Sequence, residues 1–353
     1  MDKFEYNEQQ RHTDVLRTRQ ILKELPNFCR EFFMSLNDVT STKTRLNYAY
    51  DLRLFFKFLT EEEDMFNGRN MKQLSIEDLS QISANCIRSF LDFTTYYVKD
   101  DGTDEGEAVS NGERGKARKL AAIRKLFEYF YINEKIAANP AQLVKTPKLH
   151  EKAIIRLEPD EAAKLLDEVE SGANLTAGQK KFHEFTKARD LALVTLLLGT
   201  GMRVSECVGI DLNHIDFNVG GIKIRRKGGN EVIIYFGDEV ESALQNYLIE
   251  RENMNPLPGH ENALFLSIQN KRLGVRSVEN LVKKYSKLVT NVKNISPHKL
   301  RSTFGTNLYR ETGDIYLVAD VLGHKDVNTT RRHYAEESDE NRRLVRNVKI
   351  RKD

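Results

Sequence analysis

HIDFNVGGIKIRRKGGNEVIIYF, residues 214–236, is where the pattern of this chain changes. Ile222 and Ile224 alternate with Lys223 and Arg225, and EVIIYF is rich in the β-branched and aromatic residues that suit strands. NVGG and GGN supply the turns. The segment predicts three short strands, HIDF, IKIRRK and EVIIYF, in a small antiparallel sheet. On both sides of it apolar residues recur at helical spacing, so this part of the chain reads as mixed α+β.

Upstream, ARDLALVTLLLGTG (188–201) is apolar almost all round, hence a buried helix stopped by its glycines. LEPDEAAKLLDEVE (157–170) is a helix with Pro159 and acids in its first turn. Before it, LVKTPKLHEKAI (143–154) has no periodicity and reads as a linker. Further back STKTRLNYAYDLRLFFKFL (41–59) places Leu46, Tyr50, Leu54 and Phe58 on one helical face, with Ser41 or Thr42 as N-cap. SIEDLSQISANCIRSFLDFTTYYV (75–98) reads as a second helical region opened by a Ser75–Asp78 capping box. KDDGTDEGEAVSNGERG (99–115), acidic and glycine-rich, reads as an exposed loop. The organisation expected is a helical domain over 1–144, a linker over 145–156 and an α+β domain over 157–353.

A chain of 353 residues is too long for one ordinary core, which agrees with two domains. No apolar run approaches the length of a bilayer span. The start MDKFEYNEQQRHTD lacks an export pattern. Cys29, Cys86 and Cys207 are widely spaced and read as buried thiols of a reducing compartment. A cytoplasmic protein without membrane attachment is expected. The net charge of +3 says little, but RGKARKLAAIRK (114–125), KIRRK (223–227) and RRLVRNVKIRKD (342–353) are locally basic and suit phosphates.

Five places after the linker carry residues suited to phosphate chemistry. GTGMRVSE puts Arg203 after a glycine turn with Glu206 three residues on, where the carboxylate can aim the guanidinium. Lys227 stands at the tip of the predicted hairpin. SPHKLRSTFGTNLY has Ser296 as N-cap and Pro297 at the first helical position, and His298 and Arg301 follow on one face near a helix N-terminus. LGH supplies His324, and Tyr334 follows ten residues later. Each alone has a blander reading: a helix ion pair, a solvated lysine, a structural histidine, a core aromatic. Occurring together and in this order, they outweigh it.

That ordered set resembles the tyrosine recombinase (phage integrase) family, in its Xer-like branch. The N-terminal stretch with Thr44, Tyr48, Asp51, Leu52, Phe55, Phe58 and Leu59 and the ANPA segment (138–141) extend the likeness over nearly the whole chain. The resemblance implies a helical, SAM-like core-binding clamp followed by a catalytic domain, closing around double-stranded DNA. It implies Tyr334 as nucleophile forming a 3′-phosphotyrosyl link, with Arg203, Arg301 and His324 on the phosphate. His298 would assist proton transfer and Lys227 would be the general acid. Neither metal nor other cofactor is needed, since side chains supply the cations. Lys43, Arg45, Arg114, Lys116, Arg118, Lys119, Arg225 and Arg226 are the candidate DNA contacts. A homotetramer, or a heterotetramer with a paralogue, on synapsed DNA is expected, with the C-terminal tail docking on a neighbour.

The family usually places its tyrosine nine residues after this histidine, where this chain has His333. Tyr309 and Tyr316 are rival nucleophiles. A compact clamp favours Xer-type resolution of chromosome dimers at one short site. The alternatives are an integrase or excision recombinase of a transposon or phage, and a non-catalytic DNA-binding protein. A metal-dependent nuclease lacks its ligand clusters, and a type IB topoisomerase suits the small clamp poorly.

Overall fold

The structure, a computed structural model, describes residues 6–99, 107–150, 154–226, 229–324 and 326–334; the side chains of Lys99, Glu107, Thr329, Arg332, His333 and Tyr334 lie outside that description. The chain divides into two compact units, Lys3–Glu151 and Lys152–Asp353.

The first unit is helical with one hairpin. Its elements are α1 (Tyr6–Leu22), α2 (Cys29–Ser35), α3 (Thr42–Glu61), α4 (Ile76–Gln81), α5 (Ala84–Phe93), β1 (Tyr96–Lys99), β2 (Glu107–Ser110) and α6 (Glu113–Ile132). Ser41 caps α3 by accepting a hydrogen bond from the Thr44 amide at 3.2 Å. The side α3 buries carries Leu46, Ala49, Leu52, Phe55, Phe56, Phe58 and Leu59, whereas Tyr50 is 41% exposed. Of the expected face, Leu46 and Phe58 are buried and Leu54 packs partly buried against the core, so Tyr50 alone is turned out. Steps of four wind about 40° per step around a helix of 3.6 residues per turn, so the core follows alternating threes and fours. Phe55, Phe90, Phe127 and Phe130 are buried in the same core.

Residues 75–98 do not form one helical region. The chain breaks after α4, and Ser83 starts α5 afresh by accepting from the Cys86 amide at 3.2 Å. The aromatic and β-branched end of the stretch leaves the helix as β1. It pairs antiparallel with β2, Tyr96 opposite Ser110 and Lys99 opposite Glu107. Part of the expected loop is thus a strand; residues 100–106 lie outside the described residues.

The second unit comprises α7 (Pro159–Ser171), α8 (Ala177–His183), α9 (Lys187–Thr200), α10 (Val204–Val208), β3 (Ile215–Asp216), β4 (Gly221–Arg225), β5 (Glu231–Tyr235), α11 (Asp238–Glu252), α12 (Val275–Val289), α13 (Pro297–Thr312), α14 (Ile315–Leu322) and α15 (Val327–Tyr334). The strands form an antiparallel meander, β3-β4-β5, with Ile222 opposite Ile234 on the buried side. On the other side Lys223 and Glu231 make a 2.7 Å ion pair. Buried α9 packs against α7, α11 and α13. Gly199 does not stop it: this glycine lies inside α9, where a Cβ would stand 2.5 Å from Val240 of α11. Gly201, with φ +61°, ends the helix. No helix among the described residues is long and apolar enough to cross a membrane.

Candidate active site

Gly201 opens the site. Its left-handed backbone suits glycine, and a Cβ there would lie 2.3 Å from the Phe304 ring. Two residues later Arg203 stands at the N-cap of α10. Its backbone amide donates to one Glu206 carboxylate oxygen at 2.7 Å and its Nη1 donates to the other at 2.8 Å. Glu206 is 8% exposed. One carboxylate therefore both caps the helix and aims the guanidinium. Next to it Cys207 is fully buried, and burial pushes its thiol up to about 12, which keeps it protonated and inert.

Arg301 lies in the second turn of α13, which Pro297 opens. It is buried, and its Nη1 donates to the Gly201 carbonyl at 2.7 Å while its Nη2 donates to the Leu322 carbonyl. His298, in the first turn, is exposed.

The end of α14 joins these parts. Gly323 takes φ +63°, its amide donates to the Asp320 carbonyl at 2.8 Å, and the His324 amide donates to the Ala319 carbonyl at 2.9 Å. This is a Schellman motif, and it fixes the backbone that presents His324. Arg226 Nη1 donates to the Asp320 carbonyl at 3.2 Å and its Nη2 to the Val321 carbonyl at 2.7 Å. Arg203 Nη2 donates to the Gly323 carbonyl at 3.4 Å. Four successive carbonyls, 320 to 323, thus each meet a guanidinium. A helix C-terminus leaves such carbonyls without helical partners and carries partial negative charge, so cations are stabilised there. With five N–H donors, a guanidinium can hold a carbonyl and also face an anion.

The Nδ1 of His324 lies 2.7 Å from the hydroxyl of Thr330, which is fully buried in α15. Tyr334, the last residue of α15, follows Thr330 by four residues. Position 334 lies about 40° around the helix from 330, and position 333 about 60° the other way. The helix therefore brings the residue ten after the histidine, rather than nine, nearer to the Thr330 face. Of the rival tyrosines, Tyr309 packs against the buried Val318 and Leu322 pair, and Tyr316 on α14 is exposed.

The structure thus gathers Arg203, Arg301 and His324 around one turn. Lys227 lies outside the described residues, as does the tail from 335 onward. Among the described residues no group of three or more His, Cys, Asp or Glu side chains is arranged to hold a metal ion.

The eight basic residues expected on DNA divide. Arg114 is exposed, Arg225 partly buried, and Arg45 donates to Asn37. Lys43 is mostly exposed, 3.6 Å from Asp14. Lys116 donates to the Thr95 hydroxyl at 2.6 Å and shares a recess of about 640 Å³ with Arg88 and Lys145. Arg118, half exposed, bonds Asp51 at 2.6 Å. Two are turned inward. Lys119 is 3% exposed and donates to Asn111 at 2.8 Å, because the α6 face that carries it is the one packed in the core. Arg226 is spent on the α14 carbonyls. Asp51, itself 3% exposed, is raised to about 6 because burial outweighs Arg118 and Lys119.

Sequence reasoning missed Thr330 and the placement of Arg226. The four-residue interval from Thr330 to Tyr334 is legible as a helical face, but the contact with His324 needs the folded turn. Nothing in the sequence separates Arg226 from Arg225.

The Phage integrase family model matches residues 155–341. The tyrosine recombinase XerC of Chlorobaculum tepidum is 30% identical over 324 residues, covering 87% of this chain and 90% of that protein. XerH recombinase bound to a palindromic difH substrate, in a post-cleavage complex, aligns with a TM-score of 0.64 over 86% of this chain and 80% of that one, at 21% identity. A lambda integrase tetramer bound to a Holliday junction aligns with a TM-score of 0.60 at 15% identity, covering 87% of this chain and 76% of that one. At those identities the two structures show a shared fold alone. The matched domain and the near full-length relative together establish that this chain belongs to the phage integrase family, as a tyrosine recombinase.

Proposed function

We propose that this recombinase cleaves and rejoins duplex DNA at a short specific site, in Xer-type resolution of chromosome dimers, with Tyr334 as its nucleophile. The Tyr334 oxygen bonds to the scissile phosphorus, the bond from phosphorus to the 5′-oxygen breaks, and a 3′-phosphotyrosyl ester and a 5′-hydroxyl result. Arg203 and Arg301 stabilise the charge that builds on the non-bridging oxygens. His324 donates to the same phosphate, held by Thr330 through its other ring nitrogen. Lys227 gives its proton to the leaving 5′-oxygen, and His298 assists removal of the tyrosine proton. The ester conserves the energy of the broken bond, so rejoining needs no nucleotide.

The observation that carries this reading is the convergence of Arg203 and Arg301, 98 positions apart, on the carbonyls beside His324. Two guanidiniums and an imidazole at one turn form a site for a phosphate, and Arg203 is aimed by Glu206. The helical first unit binds DNA through Lys43, Arg45, Arg114, Lys116 and Arg118 on backbone phosphates, and Arg225 of β4 does the same from the second unit. The XerC relative supports the Xer-type role, and the lambda integrase tetramer on its junction supports assembly as a tetramer on synapsed DNA.

Covalent trapping tests the reading. The protein is mixed with fragmented host DNA and nicked duplexes and denatured in detergent. The modified residue is then mapped by mass spectrometry and the attached DNA is sequenced. An adduct on Tyr334 at one chromosomal site supports the proposal. Attached DNA from the ends of a mobile element moves the role to integration or excision. An adduct on Tyr309 or Tyr316 overturns the nucleophile, and bound DNA without any adduct overturns catalysis.

A further inference from the structure

We propose that Arg226 is a positioning residue of the reaction, which ties the β4–β5 hairpin to the turn that presents His324. The inference rests on the recombinase reading and goes beyond it, since Arg226 stands in a basic run whose plain interpretation is a DNA contact.

The backbone of Arg226 is fixed in the hairpin. Its amide donates to the Asn230 carbonyl at 2.8 Å, and its carbonyl accepts from the Gly229 amide at 3.0 Å. Its side chain leaves the hairpin and reaches the last turn of α14, where it holds the Asp320 and Val321 carbonyls at 3.2 and 2.7 Å. Those carbonyls directly precede the Leu322 and Gly323 carbonyls held by Arg301 and Arg203. Pulling Arg226 away to a phosphate would strip the Val321 carbonyl of this donor and leave the Asp320 carbonyl with the Gly323 amide alone.

The same placement sets the Arg226 guanidinium against Gly323. A Cβ at this position would meet the Arg226 guanidinium, 2.4 Å from Nη1 and 2.6 Å from Cζ. The turn before His324 is therefore shaped around Arg226 as well as around its own left-handed backbone. Lys227 is the next residue in the chain after Arg226. Anchoring Arg226 on these carbonyls holds the end of β4 to the turn that presents His324.

A double-substitution cycle on the full-length protein tests this, using a nicked target duplex and scoring both phosphotyrosyl formation and DNA affinity across salt concentrations. Arg226→Ala is expected to slow adduct formation about tenfold or more, since small misplacements of reacting groups cost rate. Affinity and its salt slope should stay as in the unsubstituted protein, because Arg226 neutralises no phosphate. Gly323→Ala should slow the same step, and should cost measurably less in the Arg226→Ala background, where the guanidinium no longer occupies that space. Equal costs in both backgrounds overturn the proposal. So does an Arg226→Ala variant with weaker binding, a flatter salt slope and normal cleavage at saturating DNA, which is the signature of a residue bound to phosphate. Arg226→Lys keeps the charge but not the two-carbonyl fork; it serves if the alanine variant does not fold, and the same split between slow cleavage and intact binding is expected. If the unsubstituted protein forms no adduct, the recombinase reading itself fails, an outcome distinct from these.

Discussion

The Nδ1 of His324 and the hydroxyl of Thr330 stand 2.7 Å apart, and Thr330 is fully buried. The histidine that faces the phosphate in the proposed reaction is therefore oriented from inside α15, the helix that ends at Tyr334. When the hydroxyl donates to Nδ1, the ring proton sits on Nε2, ready to donate to an anion. Thr330→Val keeps the shape and removes the hydroxyl. It should slow cleavage about tenfold, because small misplacements of a reacting group cost rate, and leave DNA affinity unchanged. Thr330→Ser should restore most of the rate. Equal rates in the valine and serine variants would remove the hydroxyl from the mechanism.

Lys227→Ala should bind DNA normally and cleave slowly. A substrate with a bridging sulfur at the 5′ position has a leaving group that needs no proton, so it should recover the rate. A lysine that served only to bind would show no such recovery.

Gly201→Ala places a Cβ at φ +61° and 2.3 Å from Phe304. The left-handed backbone alone costs about 1–2 kcal/mol, and the clash adds to it. Thermal unfolding of the full chain should fall by several degrees, and cleavage should fall with it, because the Gly201 carbonyl holds Arg301. An unchanged midpoint would mean the turn relaxes freely.

Arg114→Ala combined with Lys116→Ala should weaken binding to every sequence alike. The slope of log affinity against log salt should drop by about 0.9 for each phosphate that is no longer neutralised. Arg118 is unsuited to this test, since its removal would also leave the buried Asp51 without its 2.6 Å partner. A slope that does not change would place this patch away from the duplex.

Asp51 titrates at about 6, raised from the usual carboxylate value by burial. Between about pH 4 and 6 the folded chain binds a proton that the unfolded chain has released, so this group's contribution makes stability fall as pH rises through that window. Asp51→Asn removes the step. The difference in unfolding free energy between variant and parent should shift in favour of the variant from pH 4 to 6, then stay level above 6. A difference that is flat throughout would assign the shift to another group.

The sequence by itself determined the division of labour in this protein. The strand signal at 214–236 sits in a helical frame, and the motifs around Arg203, Arg301, His324 and Tyr334 follow one another in a recognisable order. Such features are local: a period of two or of 3.6, a glycine where φ must be positive, a proline at a helix start. The Ser41 and Ser83 caps and the Gly201 and Gly323 stops belong to the same class, as each acts within a few residues. What only the tertiary structure decided is which of many equivalent cations faces the site. Arg225 and Arg226 are alike as letters, yet Arg226 reaches the α14 carbonyls 94 and 95 positions away. Lys119 and Lys116 share a helix, yet one is buried on Asn111 and the other is not. The difference arises because a guanidinium or ammonium has no preferred sequence neighbour. It settles wherever the fold leaves carbonyls or carboxylates in need of a donor, and those places exist only once the helices have packed.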